Sequence, residues 1–298
     1  MDKHQPQGPP PAAKRPRPQS AVDGLASTSS WHSRGINHAI ELPVDNPALP
    51  LTLKPEIANL RNLALNGPPS GASGIPTLPL IDAQSWSERA DDEDWLIWRA
   101  RRTEARHRAM PIELSPGERI VGRPELRSPT PEEAQEIERV QEILNSIPPH
   151  PGGDSGHFHP DYEKLFRLGI GGIRQEIQSK TPTGGRPNPA TKEQQTFYQA
   201  CDIAIGGLSE YAQRVADECD LAAVGADEAA ATRWHELAGI CRHVSTEPPS
   251  TFHQAIQLMF LGIVGLWFGE DHGLTTPGRM DQALRPFYEA DLAAGRIT

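Results

Sequence analysis

The chain has 298 residues, with 29 Lys and Arg against 39 Asp and Glu, a formal net charge of -10. That acidic balance speaks against an electrostatic grip on nucleic acid or on an anionic membrane surface. Three cysteines without a CxxC pair fit a reducing, cytoplasmic setting better than a secreted disulfide framework.

Residues 1–35 are rich in Pro, Ser, Gln and charge and contain no apolar run, so they read as a disordered tail that buries too little surface to offset the entropy of ordering. Within it Lys14, Arg15, Pro16 and Arg17 read as a solvated basic cluster, and no signal-peptide pattern precedes them. The remainder, 36–298, reads as one domain. It opens with a turn-rich stretch from Ile36 to Ser85 that holds a short helix around Pro55 to Leu65. Asp91, Asp92, Glu93 and Asp94 then suit the N-terminal dipole of a helix running through Met110. Glu118 to Gly122 is the one convincing short strand in this half.

Thr130, Pro131 and Glu133 form a capping box for a helix from Pro131 to Ile147, with Ala134, Ile137, Val140, Leu144 and Ile147 on its core side. Further helices are predicted from Pro160 to Ser179, Thr191 to Cys219 and Asp227 to Val244. The segment Ala255 to Phe268 approaches membrane hydrophobicity but is about 14 residues long where a span needs about 20. Its apolar residues cover both faces, as in a helix surrounded by protein. A last helix, Asp281 to Ala294, ends at Gly295, a fitting left-handed C′ glycine. Arg296, Ile297 and Thr298 then read as the start of another helix, which makes a fragment the expectation. Periodicity alone describes a mainly α-helical protein.

Cys201 and Cys219 stand five helical turns apart on one apolar face, and Cys241 lies on another, so inert core thiols are expected. The cluster from His150 to Tyr162 lies on a loop entering a helix. Its histidines and aspartates leave three readings open: a metal site for zinc or iron, a substrate-facing imidazole, or plain loop capping. The spacing matches no metal motif, so no metal is assigned. A second polar cluster, Gly269 to Gln282, follows the apolar helix at what reads as the mouth of a buried layer, with Arg279 and Asp281 placed to pair. Gly171-Gly172, Gly184-Gly185 and Gly206-Gly207 lack a phosphate-loop context.

Three blocks carry a likeness: Gly156-His157-Phe158-His159-Pro160-Asp161-Tyr162 with Leu168-Gly169-Ile170-Gly171-Gly172; Glu236 to Cys241 with Pro248 to Gln257; and Gly278-Arg279-Met280-Asp281-Gln282 with Pro286 to Asp291 and Gly295 to Thr298. In this order the chain, from about Trp95 to Thr298, resembles the N-terminal portion of glycyl radical enzymes of the pyruvate formate-lyase family, closer to their dehydratase and decarboxylase branches. The resemblance implies an incomplete, truncated first part of a ten-stranded α/β barrel wrapped in helices. It also implies a backbone glycyl radical installed by a separate S-adenosylmethionine-dependent activating enzyme, a cysteine thiyl that takes hydrogen from a small polar organic substrate in a dry cavity, and a homodimer at full length. No bound cofactor is expected.

The departures from the family are as informative. Its catalytic cysteine follows a glycine, whereas Cys201, Cys219 and Cys241 do not. Its radical glycine precedes an aromatic residue, whereas Gly122 precedes Arg123. No catalytic residue is therefore assigned. Only substrate contact is carried over: His157 from the Gly-His block, and Leu274 with Thr275 before Pro-Gly-Arg. The expectation is a radical lyase or dehydratase portion that is inactive alone, against two alternatives: pyruvate formate-lyase proper, which adds formate loss and acetyl transfer to coenzyme A, and a non-catalytic helical scaffold.

Overall fold

The computed structural model describes residues 74–148, 159–181, 189–271 and 275–297. The chain divides after Lys54, and every described residue belongs to the unit Pro55–Thr298. The predicted tail and the helix around Pro55 to Leu65 lie outside the described residues. What is described is mainly α-helical: α1 (Leu78–Ser87), α2 (Trp95–Ala109), α3 (Pro131–Arg139), α4 (Gln141–Ser146), α5 (Tyr162–Lys180), α6 (Pro189–Ala223), α7 (Glu228–Val244), α8 (Phe252–Val264), α9 (Met280–Ala283) and α10 (Arg285–Ala293).

Side-chain caps start five of these helices. Asp94 accepts from Leu96 N at 2.9 Å, Asp161 from Lys164 N at 2.9 Å, Asp227 from Ala230 N at 2.8 Å and Thr251 from Gln254 N at 3.2 Å. Thr130 and Glu133 close the expected capping box reciprocally. Each cap satisfies a backbone donor that the helix leaves open, worth about 1 kcal/mol.

The long helix α6 is the axis of the core. It contributes Tyr211, Ala212, Val215, Ala216 and Cys219, all without solvent exposure, and packs along α2, α5 and α7. From the flanks come Met110, Ile170, Leu237, Cys241, Leu258 and Leu261. The apolar stretch Phe252–Gly269 is long and apolar enough to cross a membrane by length and composition, but half of it is buried inside the protein. It is a core helix that finishes in a π-helical turn, Gly265–Gly269.

Four expectations need correction. Glu118 to Gly122 is irregular, with a bend at Arg119–Ile120, rather than a strand; among the described residues the strands are the two-residue antiparallel pair β1 (Ile112–Glu113) and β2 (Arg123–Pro124) on either side of it. Gly117 and Gly122 take positive φ (88° and 96°), which bends the segment out of a ladder. In place of a neighbouring strand, the buried Gln257 side chain donates to Val121 O at 2.7 Å and accepts from Val121 N at 3.0 Å. The helix expected over Pro131 to Ile147 is broken at Val140, and none of its residues is buried, Ala134 included. The last helix is split at Leu284, where Pro286 in the first turn of α10 has no N–H to continue the preceding ladder. Finally α5 carries a kink at Gly169 (φ 65°) that its apolar periodicity does not signal.

Candidate functional site

The two polar clusters of the sequence meet at the head of α5. Asp161 caps that helix, which places His159 just ahead of its first turn. Across from it, Gly278 takes φ +62°, and a Cβ there would fall 2.3 Å from His159 Nε2 and 2.4 Å from its Cε1. The imidazole therefore lies directly against the Gly278 backbone. The His159 and Tyr162 ring centroids are 5.9 Å apart, and Tyr162 stacks at 6.0 Å on Phe166.

Beside this contact is a cleft of about 130 Å³ lined by His159, Tyr162, Glu163, Pro277, Arg279 and Gln282. Arg279 and Asp281 pair as expected, Nε to Oδ1 at 2.9 Å and Nη2 to Oδ2 at 2.7 Å, at the exposed rim. That pairing holds the Asp281 carboxyl below its ordinary value. Tyr162 is 2% exposed and its hydroxyl has no partner among the described residues; burial pushes the phenol up to about 12. The cleft therefore brings together a buried phenol, an imidazole, the Glu163 carboxyl, the Gln282 amide and a guanidinium already engaged with a carboxylate.

The other end of the second loop is fixed by α2. Thr103 donates to Glu270, Arg99 reaches Glu270 at 3.0 Å, and Arg102 reaches Asp271 at 3.1 Å. Arg106, 4% exposed, donates to Asp82, to Asp271 Oδ1 at 2.7 Å and to Phe268 O at 3.1 Å. Burial opposes the charge on Arg106, but the hydrogen bonds to Asp82 and Asp271 outweigh it, so its pKa is raised. Asp271 is left-handed at φ 61°, a conformation an Asp side chain tolerates better than most. Next to this hub, His107 is 2% exposed and wedged against Gly207, Gly265 and Gly269. Burial lowers it to about 4 despite the nearby Gly265 backbone, and neither ring nitrogen has a partner in hydrogen-bond geometry among the described residues.

Of the residues predicted to contact substrate, His157 and Leu274 lie outside the described residues. Thr275 is described and half-buried, three positions before Gly278. The loops carrying these residues are joined through His159 and Gly278, neither of which sequence reasoning singled out as a contact. The signal was present in the Pro277-Gly278 pair, which marks a turn requiring a residue without Cβ. Two of the three thiols behave as expected of a core, whereas Cys201 is only half-buried. Cys219 and Cys241 are buried, burial pushing the first up to about 12 and raising the second. Among the described residues no group of three His, Cys, Asp or Glu is placed to hold a metal ion.

A family model described as "Pyruvate formate lyase-like" matches residues 128–298, more than half of the chain. Isethionate sulfite-lyase of Nitratidesulfovibrio vulgaris is 34% identical over 141 residues, which are 46% of this chain and 17% of the relative. Probable dehydratase YbiW of Escherichia coli is 29% identical over 144 residues, 47% of this chain and 17% of that one. Among solved structures, hydroxyproline dehydratase from Clostridioides difficile superposes with a TM-score of 0.68 at 17% identity, over 82% of this chain and 38% of that chain. The B12-independent glycerol dehydratase from Clostridium butyricum gives 0.63 at 19% identity, over 71% and 34%. The chain thus matches about a sixth of the length of these curated relatives and about a third of the solved ones, and its helices share their fold.

Proposed function

This chain belongs to the pyruvate formate lyase-like family, and on that premise we propose that it is the N-terminal portion of a glycyl radical lyase or dehydratase acting on a small polar organic molecule. In this reading it supplies outer helices and one wall of a substrate pocket, with His157, Leu274 and Thr275 facing the substrate. The barrel, the radical glycine and the relaying cysteine belong to sequence beyond this portion. The whole enzyme works in the cytoplasm as a homodimer, after activation by an S-adenosylmethionine-dependent partner.

The observation that carries this reading is the contact of His159 with Gly278, because it brings together the two loops to which the family resemblance gives substrate contact. The thiols support the other half of it. Cys219 and Cys241 sit in the helical core with their ionisation disfavoured, and no cysteine follows a glycine. Such sulfurs are packing groups, and no catalytic step is assigned to them.

Two measurements test this. First, the chain is incubated anaerobically with S-adenosylmethionine, a reductant and an activating enzyme of this family. It should give no glycyl radical signal in electron paramagnetic resonance and no turnover of isethionate or glycerol; either one would overturn the assignment of the chemistry to sequence elsewhere. Second, saturation-transfer NMR is run with isethionate, glycerol and trans-4-hydroxy-L-proline. At least one should bind, about ten-fold more weakly after His157→Ala, as expected for one lost hydrogen bond. Binding of none of them would favour the non-catalytic scaffold.

A further inference from the structure

Gly278 is glycine for two separable reasons. Its φ of +62° excludes most side chains, and its Cα lies under the His159 ring, where an added Cβ would meet Nε2 at 2.3 Å, Cε1 at 2.4 Å and Cδ2 at 2.9 Å. The ring is not an idle surface group, exposed though the residue is. Behind it, rings follow one another into the core: Tyr162 at 5.9 Å, then Phe166 at 6.0 Å, then Phe287 of α10 at 5.5 Å. On the Gly278 side the backbone is tied onward by Met280 N donating to Gly278 O at 3.0 Å. A series of packed groups therefore runs from the Thr275–Arg279 segment, through one imidazole, to the head of α5 and the core.

We propose that His159 is a positioning residue: its ring, pressed on Gly278 and backed by Tyr162, sets the register between the start of α5 and the segment Thr275–Arg279, and so the spacing of the two walls of the cleft. Its functional meaning rests on the pocket-wall reading above, whereas the coupling itself does not. Arg279 and Gln282, which line the cleft with Tyr162 and Glu163, are then held at their distance by this contact at one end and by the Phe166–Phe287 contact at the other.

A double-substitution cycle on the 298-residue chain, without any ligand, tests the coupling. Gly278→Asn keeps the left-handed backbone accessible and so isolates the clash with the ring; Gly278→Ala adds the backbone strain. Each is made alone and with His159→Ala, and read by thermal unfolding and by hydrogen exchange of a peptide covering Thr275–Arg279. Gly278→Asn should lower Tm by about 3 °C or more and speed exchange in that peptide about ten-fold. In the His159→Ala background the same substitution should do markedly less. His159→Ala alone should speed exchange in that peptide, and His159→Phe, which restores a flat ring, should slow it again. A ring that merely filled surface would change Tm while leaving exchange across the cleft untouched. Additive effects in the cycle, or unchanged exchange in His159→Ala, would overturn the proposal. If the cycle shows coupling while glycerol, isethionate and hydroxyproline all fail to bind the unaltered chain, the pocket-wall reading falls and the positioning role stands.

Discussion

At the scale of single residues, the glycines of the Leu168-Gly169-Ile170-Gly171-Gly172 motif have a physical cause that lies elsewhere in the chain. A Cβ on Gly169 would come 2.5 Å from Pro248 N, and one on Gly171 would come 2.8 Å from Thr246 O, to which Gly171 N donates at 2.7 Å. Helix α5 thus presses backbone against backbone on the turn that leads into α8. The motif is visible in the sequence, and so is the Pro248-Pro249 pair, but nothing in either says that they touch. His107 illustrates the opposite case, a residue with no local pattern to mark it. The unfolded chain protonates His107 below its ordinary value of 6.5, whereas the folded chain does so only near 4. Its contribution to stability is therefore present above pH 6.5 and lost as pH falls through that window, by at most about 1.4 kcal/mol per unit. Groups acting on the ring include Glu270, Arg106 and Arg214. Urea unfolding between pH 7 and pH 4.5 should show this slope, and His107→Gln should flatten it; an unchanged slope would remove His107 as its source.

Among the elements, the π-helical turn decides where the second loop begins. Its wider backbone receives the His107 ring between Gly265 and Gly269, and it delivers Glu270 and Asp271 to the arginines of α2. Trp267, 48% exposed, faces away from this contact. Deleting Trp267 should let the turn relax to an α-helix, leaving Glu270 and Asp271 in nearly the same phase but closing the widened backbone between Gly265 and Gly269 on which the His107 ring sits. Trp267→Ala keeps the residue count and should stay within about 1 kcal/mol of the parent. Thermal unfolding should separate the two variants widely; equal losses would mean that the extra residue is not what makes room for the His107 ring. The apolar run and its length were legible in the sequence, since they fix a buried helix. The π turn was not, because it depends on an imidazole from α2 arriving at the same place. The strand expected at Glu118 to Gly122 failed for a related reason: the backbone N–H and C=O of Val121 are taken up by the Gln257 side chain and Leu261 packs on Gly122, both from α8, tertiary contacts that outweigh local propensity.

For the molecule as a whole, the family match begins at residue 128, yet the matched part does not close its own core. Trp98 and Met110, both fully buried, precede it, and α2 packs along the length of α6. The tryptophan cluster at this end, Trp86 with Trp98 at 4.8 Å and Trp95 with Trp98 at 4.7 Å, ties α1 to α2. A chain beginning at Ser128 should therefore lose cooperative unfolding and bind hydrophobic dyes, keeping helical circular dichroism without fixed packing. A sharp two-state melt from that truncation would show α1 and α2 to be dispensable. Helix content and most boundaries came directly from caps and periodicity, Thr130 and Asp227 being the clearest. The joining of the two candidate loops did not, because it is made by two residues that are 119 positions apart and carry no pattern linking them.

The amide of Gln257 offers Val121 one hydrogen and one lone pair, each matched to its opposite. Glutamate has nearly the same outline but presents two oxygens when ionised, so hydrolysis of that single amide would set an oxygen against the Val121 carbonyl with almost no change in shape. Slow chemical ageing at this one position would thus unmoor the connection between α2 and α3 from the inside, while leaving the protein's surface as it was.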